Sequence, residues 1–121
     1  MSKPRPPTPT EREFQTALQE VLGRERYAWQ HVFRMQTAKG AWRTSTTANG
    51  WPDLVAFRGE TLLAIECKGA KGRMEPGQVE WLERFHALGY AYAWVLRPTD
   101  DLQAIANWIH RPATAPRRHG W

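Results

Sequence analysis

The chain predicts an α/β domain: a helix, three strands in antiparallel or mixed pairing, a helix, a further strand and a last helix. Together these make a central mixed sheet of about four strands flanked by helices. Three observations carry this prediction. An amphipathic helix opens the body at a capping box. Two apolar runs, 53–57 and 62–67, flank the tight turn Arg58-Gly59-Glu60-Thr61. A second amphipathic helix then separates that hairpin from a short apolar strand, the alternation expected of a sheet with crossover helices.

Thr10-x-x-Glu13 is the capping box, and Phe14, Ala17, Leu18, Val21 and Leu22 follow at helical spacing, with Gly23 as the expected end. At 100° per residue Glu11 falls within roughly 50° of the centre of the apolar stripe, whereas Glu13 lies more than about 100° away. Glu11 therefore faces the sheet, and Glu13 is used by the cap. Residues 27–35 alternate Tyr27, Trp29, His31 and Phe33 with Ala28, Gln30, Val32 and Arg34, which reads as the first strand. The polar segment 36–49, carrying Lys39, Gly40 and Arg43, reads as a long loop, and loops of that length in small domains are usually functional or mobile. After the hairpin comes the short basic, glycine-rich segment 69–77 with Lys71 and Arg73. A helix from about Pro76 to Leu88 follows, with proline at its first position and Gly89 past its end. Gln78 heads the apolar stripe of that helix, which is costly for an amide unless it finds partners. Ala91 to Leu96 forms the next strand. Asp100 and Asp101 read as caps of a final helix through Ile109.

Across the hairpin, Asp53 sits directly opposite Glu66 and on the same face, with Lys68 two residues further along that face. Like charges directly opposed destabilise a sheet. A divalent cation between them resolves the conflict, because hard cations such as Mg²⁺ are held by one or two carboxylates with water and substrate phosphates. Lys68 then becomes intelligible as a charge that orients or deprotonates a water, or steadies a phosphate. The competing reading is a solvated hairpin face, which Glu66-Cys67-Lys68 alone would favour. Asp53 in register tips the balance toward a site.

The order Gly50-Trp51-Pro52-Asp53, Ile65-Glu66-Cys67-Lys68 and Gly72-x-x-x-x-Gly77-Gln78, after an early helix with a glutamate, resembles the PD-(D/E)XK nuclease superfamily. More narrowly it resembles stand-alone VRR-NUC domains of phages and bacteria, and it spans about residues 10 to 98. The resemblance implies a restriction-endonuclease-like core and metal-dependent hydrolysis of DNA phosphodiesters, leaving 5′-phosphate ends. Asp53, Glu66, Glu11 and the backbone carbonyl of Cys67 would hold Mg²⁺ or Mn²⁺. Lys68 would orient or activate the attacking water, and Gln78 would contact Lys68, a bound water or a phosphate. Similar junction-resolving enzymes are dimers acting on branched DNA such as four-way (Holliday) junctions. That makes a homodimeric structure-specific endonuclease the leading expectation. A restriction-like or nicking nuclease is the alternative. A non-catalytic DNA-binding subunit on the same fold is the reading from another class, disfavoured because Asp53, Glu66 and Lys68 are all present.

Composition agrees with one small domain of 121 residues, 41% hydrophobic. No run approaches the ~18 apolar residues of a membrane span. The first residues lack the apolar stretch of a secretory signal. A lone cysteine, Cys67, excludes an intrachain disulfide, and the four histidines do not make a zinc spacing, so a cytoplasmic setting is expected. The net charge of +5 is supplied by Lys3, Arg5, Arg111, Arg117 and Arg118, outside a formally neutral body of residues 10–110. The proline-rich ends, 1–9 and 111–121, read as flexible tails around that single nuclease domain. Residues 34–73 nevertheless hold seven basic side chains against three acidic ones. Lys39, Arg43, Lys71 and Arg73 are thus candidate DNA contacts around the carboxylates. Trp42 and Trp51 are either base-stacking platforms or covers for the apolar edge of the site, the second reading being favoured for Trp51. Seven tryptophans also hint at an interface.

Overall fold

A computed structural model of the chain describes residues 7–32, 34–36, 42–44 and 49–121. Helix α1 (Glu11–Arg24) starts as its sequence dictates. The Thr10 hydroxyl oxygen accepts the Glu13 N–H at 3.1 Å and its O–H donates to the Glu13 carboxylate at 3.2 Å. The helix runs past Gly23. It ends where Arg26 turns left-handed (φ 64°), with Tyr27 N–H donating to the Leu22 carbonyl and Arg26 N–H to that of Gly23. That is a Schellman end with arginine where glycine usually sits. The nearer glycine was therefore a false stop.

Strand β1 (Ala28–His31) is shorter than the expected 27–35. Its line closes at Val32, whose N–H donates to the Asp53 carbonyl at 3.0 Å. The chain then leaves the sheet, and β2 (Arg34–Gln36) pairs antiparallel with β3 (Trp42–Thr44) in a separate small hairpin. The segment read as one long loop thus contains a strand. β4 (Leu54–Arg58) and β5 (Thr61–Cys67) form the expected hairpin around Gly59-Glu60, with Gly59 at φ 59°. Helix α2 (Pro76–His86) crosses to β6 (Ala91–Leu96), parallel to β5, and α3 (Leu102–His110) follows. Asp101 caps α3 through the N–H groups of Gln103 and Ala104, while Asp100 accepts the Arg97 N–H in the preceding turn.

Residues 111–121, expected as a flexible tail, are instead a fifth strand and its approach. A 3₁₀ turn (Pro112–Thr114) leads to β7 (Arg118–His119), which pairs parallel to β6. The Trp94 indole N–H donates to the Pro116 carbonyl at 2.7 Å, and that of Trp121 to the Ala93 carbonyl at 2.9 Å. The Arg117 guanidinium reaches the carbonyls of Ala91 and His86. The main sheet is therefore five-stranded, in the order β1-β4-β5-β6-β7. Deleting residues 111–121 is expected to lower unfolding free energy on the order of 3 kcal/mol, from lost hydrogen bonds and apolar cover. A dispensable tail would change a urea melt by less than about 0.5 kcal/mol.

Both sheet faces are packed. On one, α1 and α3 bury Phe14, Leu18, Leu22, Ile105 and Ile109 against Leu54, Leu63, Ile65, Trp94 and Leu96. On the other, Leu82 of α2 meets Leu62, Ala64, Ala91, Ala93 and Val95, where alanines let the helix approach closely. Trp51 lies edge-on to Trp81 and Phe85 of α2 (5.0 and 5.3 Å), covering the apolar edge. Glu25, just past α1, ion-pairs with His110 and Arg58, and the His110 hydrogen bond holds its carboxyl below the usual range. No described helix is long and apolar enough to cross a membrane.

Candidate active site

The hairpin register places the site. Leu54 pairs with Ile65 and Arg58 with Thr61, so one step beyond the last rung Asp53 meets Glu66. Asp53 has already left β4, and its carboxylate holds the junction by accepting the Cys67 N–H at Oδ2, 2.8 Å away. Glu66 is only 2% exposed although it carries a carboxylate. Gln78, equally buried, donates from Nε2 to Glu66 Oε1 at 3.2 Å. The Gln78 Oε1 accepts the Glu75 N–H at 2.9 Å, so one amide caps α2 and positions a carboxylate. The partners expected for Gln78 were Lys68, a water or a phosphate; the partners found are Glu66 and the helix cap.

Glu11, Gln15, His31, Val32, Asp53, Glu66, Lys68 and Gly72 line one cleft of about 240 Å³. It opens at the strand ends, between the first turn of α1 and the loop after β5. The Cys67 side chain faces away, into the core with Leu63 and Ile65. Burial pushes its thiol well above the ordinary range, and the negative charges of Asp53, Glu66 and Glu11 push it further. A neutral thiol beneath three carboxylates follows. Desolvation lowers the His31 pKa, with Asp53 opposing. Arg97 ties the loop after Lys68 by donating to the carbonyls of Gly69 and Gly72, each at 2.7 Å.

Four candidates from the sequence therefore share the cleft: Glu11, Asp53, Glu66 and Lys68. Lys71 and Arg73 sit exposed on the adjoining loop, outside the lining. Lys39 lies outside the described residues, and Arg43 and Trp42 are described only as β3 backbone. Sequence reasoning missed Gln15, His31 and Arg97. Gln15 was findable, one turn after Glu11 on the same helix face.

Among the described residues no three His, Cys, Asp or Glu side chains converge closely enough to form a ready-made metal group. A closed protein cage does not fit here. Two oxygen-donor side chains brought together at an open cleft do fit a hard divalent cation that keeps water and phosphate in its remaining positions. Replacing Gln78 by leucine is expected to leave Glu66 without this donor. Loss of such a supporting contact typically lowers activity or metal affinity roughly 10- to 100-fold, to be read as cleavage rate against Mg²⁺ concentration.

The family model of the archaeal Holliday junction resolvase (Hjc) matches residues 5–106 of this chain, which contain both helices and the whole hairpin of the cleft. The chain belongs to the archaeal Holliday junction resolvase family. Hjc membership agrees with the restriction-endonuclease-like fold and with the nuclease superfamily suggested by Pro52-Asp53 and Glu66-x-Lys68. The branch matched is Hjc, where the narrower sequence resemblance was to VRR-NUC domains. Searches of curated proteins and of solved structures returned no match.

Proposed function

We propose that this member of the Hjc family is a divalent-cation-dependent endonuclease that cuts branched DNA, four-way junctions foremost, as a homodimer. The observation that supports it most directly is the pairing of Asp53 and Glu66 in one cleft with Lys68 and Glu11. Asp53 and Glu66, with Glu11 and the Cys67 carbonyl, would hold Mg²⁺ or Mn²⁺. Such a cation, when bound, polarises phosphoryl oxygens and lowers the pKa of water. Lys68 supplies the one Lys or Arg side chain lining the cleft among the described residues, and it orients the attacking water or steadies charge on the scissile phosphate. Gln78 fixes Glu66, and the Cys67 N–H fixes Asp53. Water attacking phosphorus, with the P–O3′ bond breaking and the 3′-oxygen leaving with a proton, would give a 5′-phosphate and a 3′-hydroxyl, the ends that the nuclease resemblance implies. Two such sites in a symmetric dimer would cut paired strands. The exposed Phe57, Leu88 and Tyr90 offer apolar surface for self-association. The tryptophan count no longer argues for it, because Trp51, Trp81, Trp94, Trp108 and Trp121 are all engaged in ring contacts within the fold.

The test is cleavage of an end-labelled panel (four-way junction, flap, splayed arm, linear duplex, single strand) in Mg²⁺, Mn²⁺ or EDTA. Symmetric, metal-dependent cutting of the junction is the expected result. Equal cutting of linear duplex would favour a nicking or restriction-like enzyme. Binding without cutting in either metal would leave a DNA-binding subunit.

A further inference from the structure

A second, larger cleft of about 460 Å³ adjoins the first between α1 and β1, lined by Arg12, Gln15, Thr16, Gln19, Trp29, Gln30 and His31. Gln15 and His31 line both clefts, so the two share a wall. We propose that this second cleft is a subsite for an unpaired nucleobase of the DNA strand whose phosphate lies at Asp53 and Glu66. The proposal rests on the nuclease reading for what occupies the first cleft.

The chemistry of the lining selects this ligand. Trp29 is 39% exposed on the open edge strand, although it is the largest side chain of β1 and points to the α1 face. An indole left partly bare offers a stacking surface that accepts any base. Beside it, on the facing side of α1, stand the amides of Gln15 and Gln19, whose paired donor and acceptor match the edges of bases. Arg12 stands beside them, a cation suited to the phosphate of the same nucleotide. The helix supplies Arg12, Gln15, Thr16 and Gln19 as one row at i, i+3, i+4 and i+7. Gln15 Nε2 is buried with no hydrogen-bond partner among the described residues. A buried donor left so is unfavourable, and an acceptor on a base edge, arriving at the seam of the two clefts, would relieve it. In a continuous duplex both faces of a base are stacked and its pairing edge is used. A pocket that presents one ring face and side-chain amides therefore takes a base freed from the stack, as at a branch point. Discrimination between branched and linear DNA would then arise beside the scissile phosphate.

The experiment compares binding in EDTA, by fluorescence anisotropy, of a labelled continuous duplex and of the same duplex with a short unpaired bulge. The wild-type chain is set against Trp29→Ala, Trp29→Phe and Gln15→Leu. Trp29→Ala is expected to weaken binding of the bulged DNA roughly 5- to 150-fold, the worth of one stacked base, and to leave duplex binding unchanged. Trp29→Phe should keep most of the affinity, and Gln15→Leu should lose part of it on bulged DNA alone. Equal losses on both DNAs, or none, would overturn the subsite. Photocrosslinking of 5-iodouracil in the bulge to the wild-type chain gives a reading independent of any folding defect. Attachment to Trp29 supports the subsite, and attachment only to other aromatic residues removes it. Because binding is measured without metal, the two failures separate. A chain that never cuts yet shows this discrimination retains the subsite and loses the nuclease reading. One that cuts junctions without it loses the subsite alone.

Discussion

Asp53→Asn is expected to abolish junction cleavage while leaving the protein at least as stable as the parent in EDTA. The amide keeps an oxygen to accept the Cys67 N–H, so the hydrogen bond that closes the hairpin end survives. What disappears is one of two opposed negative charges, whose repulsion destabilises the pair when no cation lies between them. Cleavage should fall by on the order of 10²–10⁴, the range for removing a group that acts on the reacting atoms. The diagnostic is a melt with and without Mg²⁺. The parent should gain stability with rising metal, as any ligand bound only by the folded state confers, and the variant should gain far less. Lys68→Ala should lose cleavage to a similar extent but retain the metal-induced shift. A variant that cuts normally, or a parent whose melt ignores Mg²⁺ and Mn²⁺, would remove Asp53 from the metal site.

Gly50→Ala should be damaging out of proportion to its single added methyl. Gly50 has φ +86°, and a Cβ there would lie 2.4 Å from the Gly77 carbonyl carbon and 2.7 Å from the Gln78 nitrogen. The turn that delivers Asp53 is thus pressed directly onto the first turn of α2, which delivers Gln78 to Glu66. Left-handed strain and overpacking together are expected to reduce stability by roughly 2–5 kcal/mol. Relief can come only by separating the two segments, so cleavage should fall more than the loss of folded protein explains. Rates normalised to the folded fraction from a urea melt would show it. Full activity per folded molecule would mean that the two segments are not coupled.

What was legible in the sequence was what short-range rules determine. The Thr10 cap, the Gly59-Glu60 turn with its register, the Pro76 helix start and strand β6 all depend on neighbours within a few residues. The hairpin register alone brings Asp53, Glu66 and Lys68 together, and helical phase turns Glu11 toward the same cleft. What was missed depends on distant partners. Residues 111–121 look like a basic, proline-rich tail, and only the indoles of Trp94 and Trp121 and the guanidinium of Arg117 make them a strand. The strand expected over 27–35 stops at its last bond to the β4 side, the Val32 N–H on the carbonyl of Asp53, more than twenty positions away. Gly23 misled because Arg26 accepts a backbone conformation that glycine usually takes. Gln78 was rightly marked as a buried amide in need of partners, but the identity of those partners required the packing of α2 on the sheet.

The two-residue turn of the β4–β5 hairpin also limits how the gene can vary. Adding or removing one residue within either strand slips the pairing, turns part of that strand over, and sends a carboxylate to the opposite face. Lengthening both strands by one residue keeps the acids opposed but turns both toward the α1–α3 core. Only a change of two residues in each strand preserves both the pairing and the face. Insertions and deletions in this hairpin should therefore be tolerated in whole repeats of the pleat, whereas the glycine-rich loop after Lys68 is free of that arithmetic.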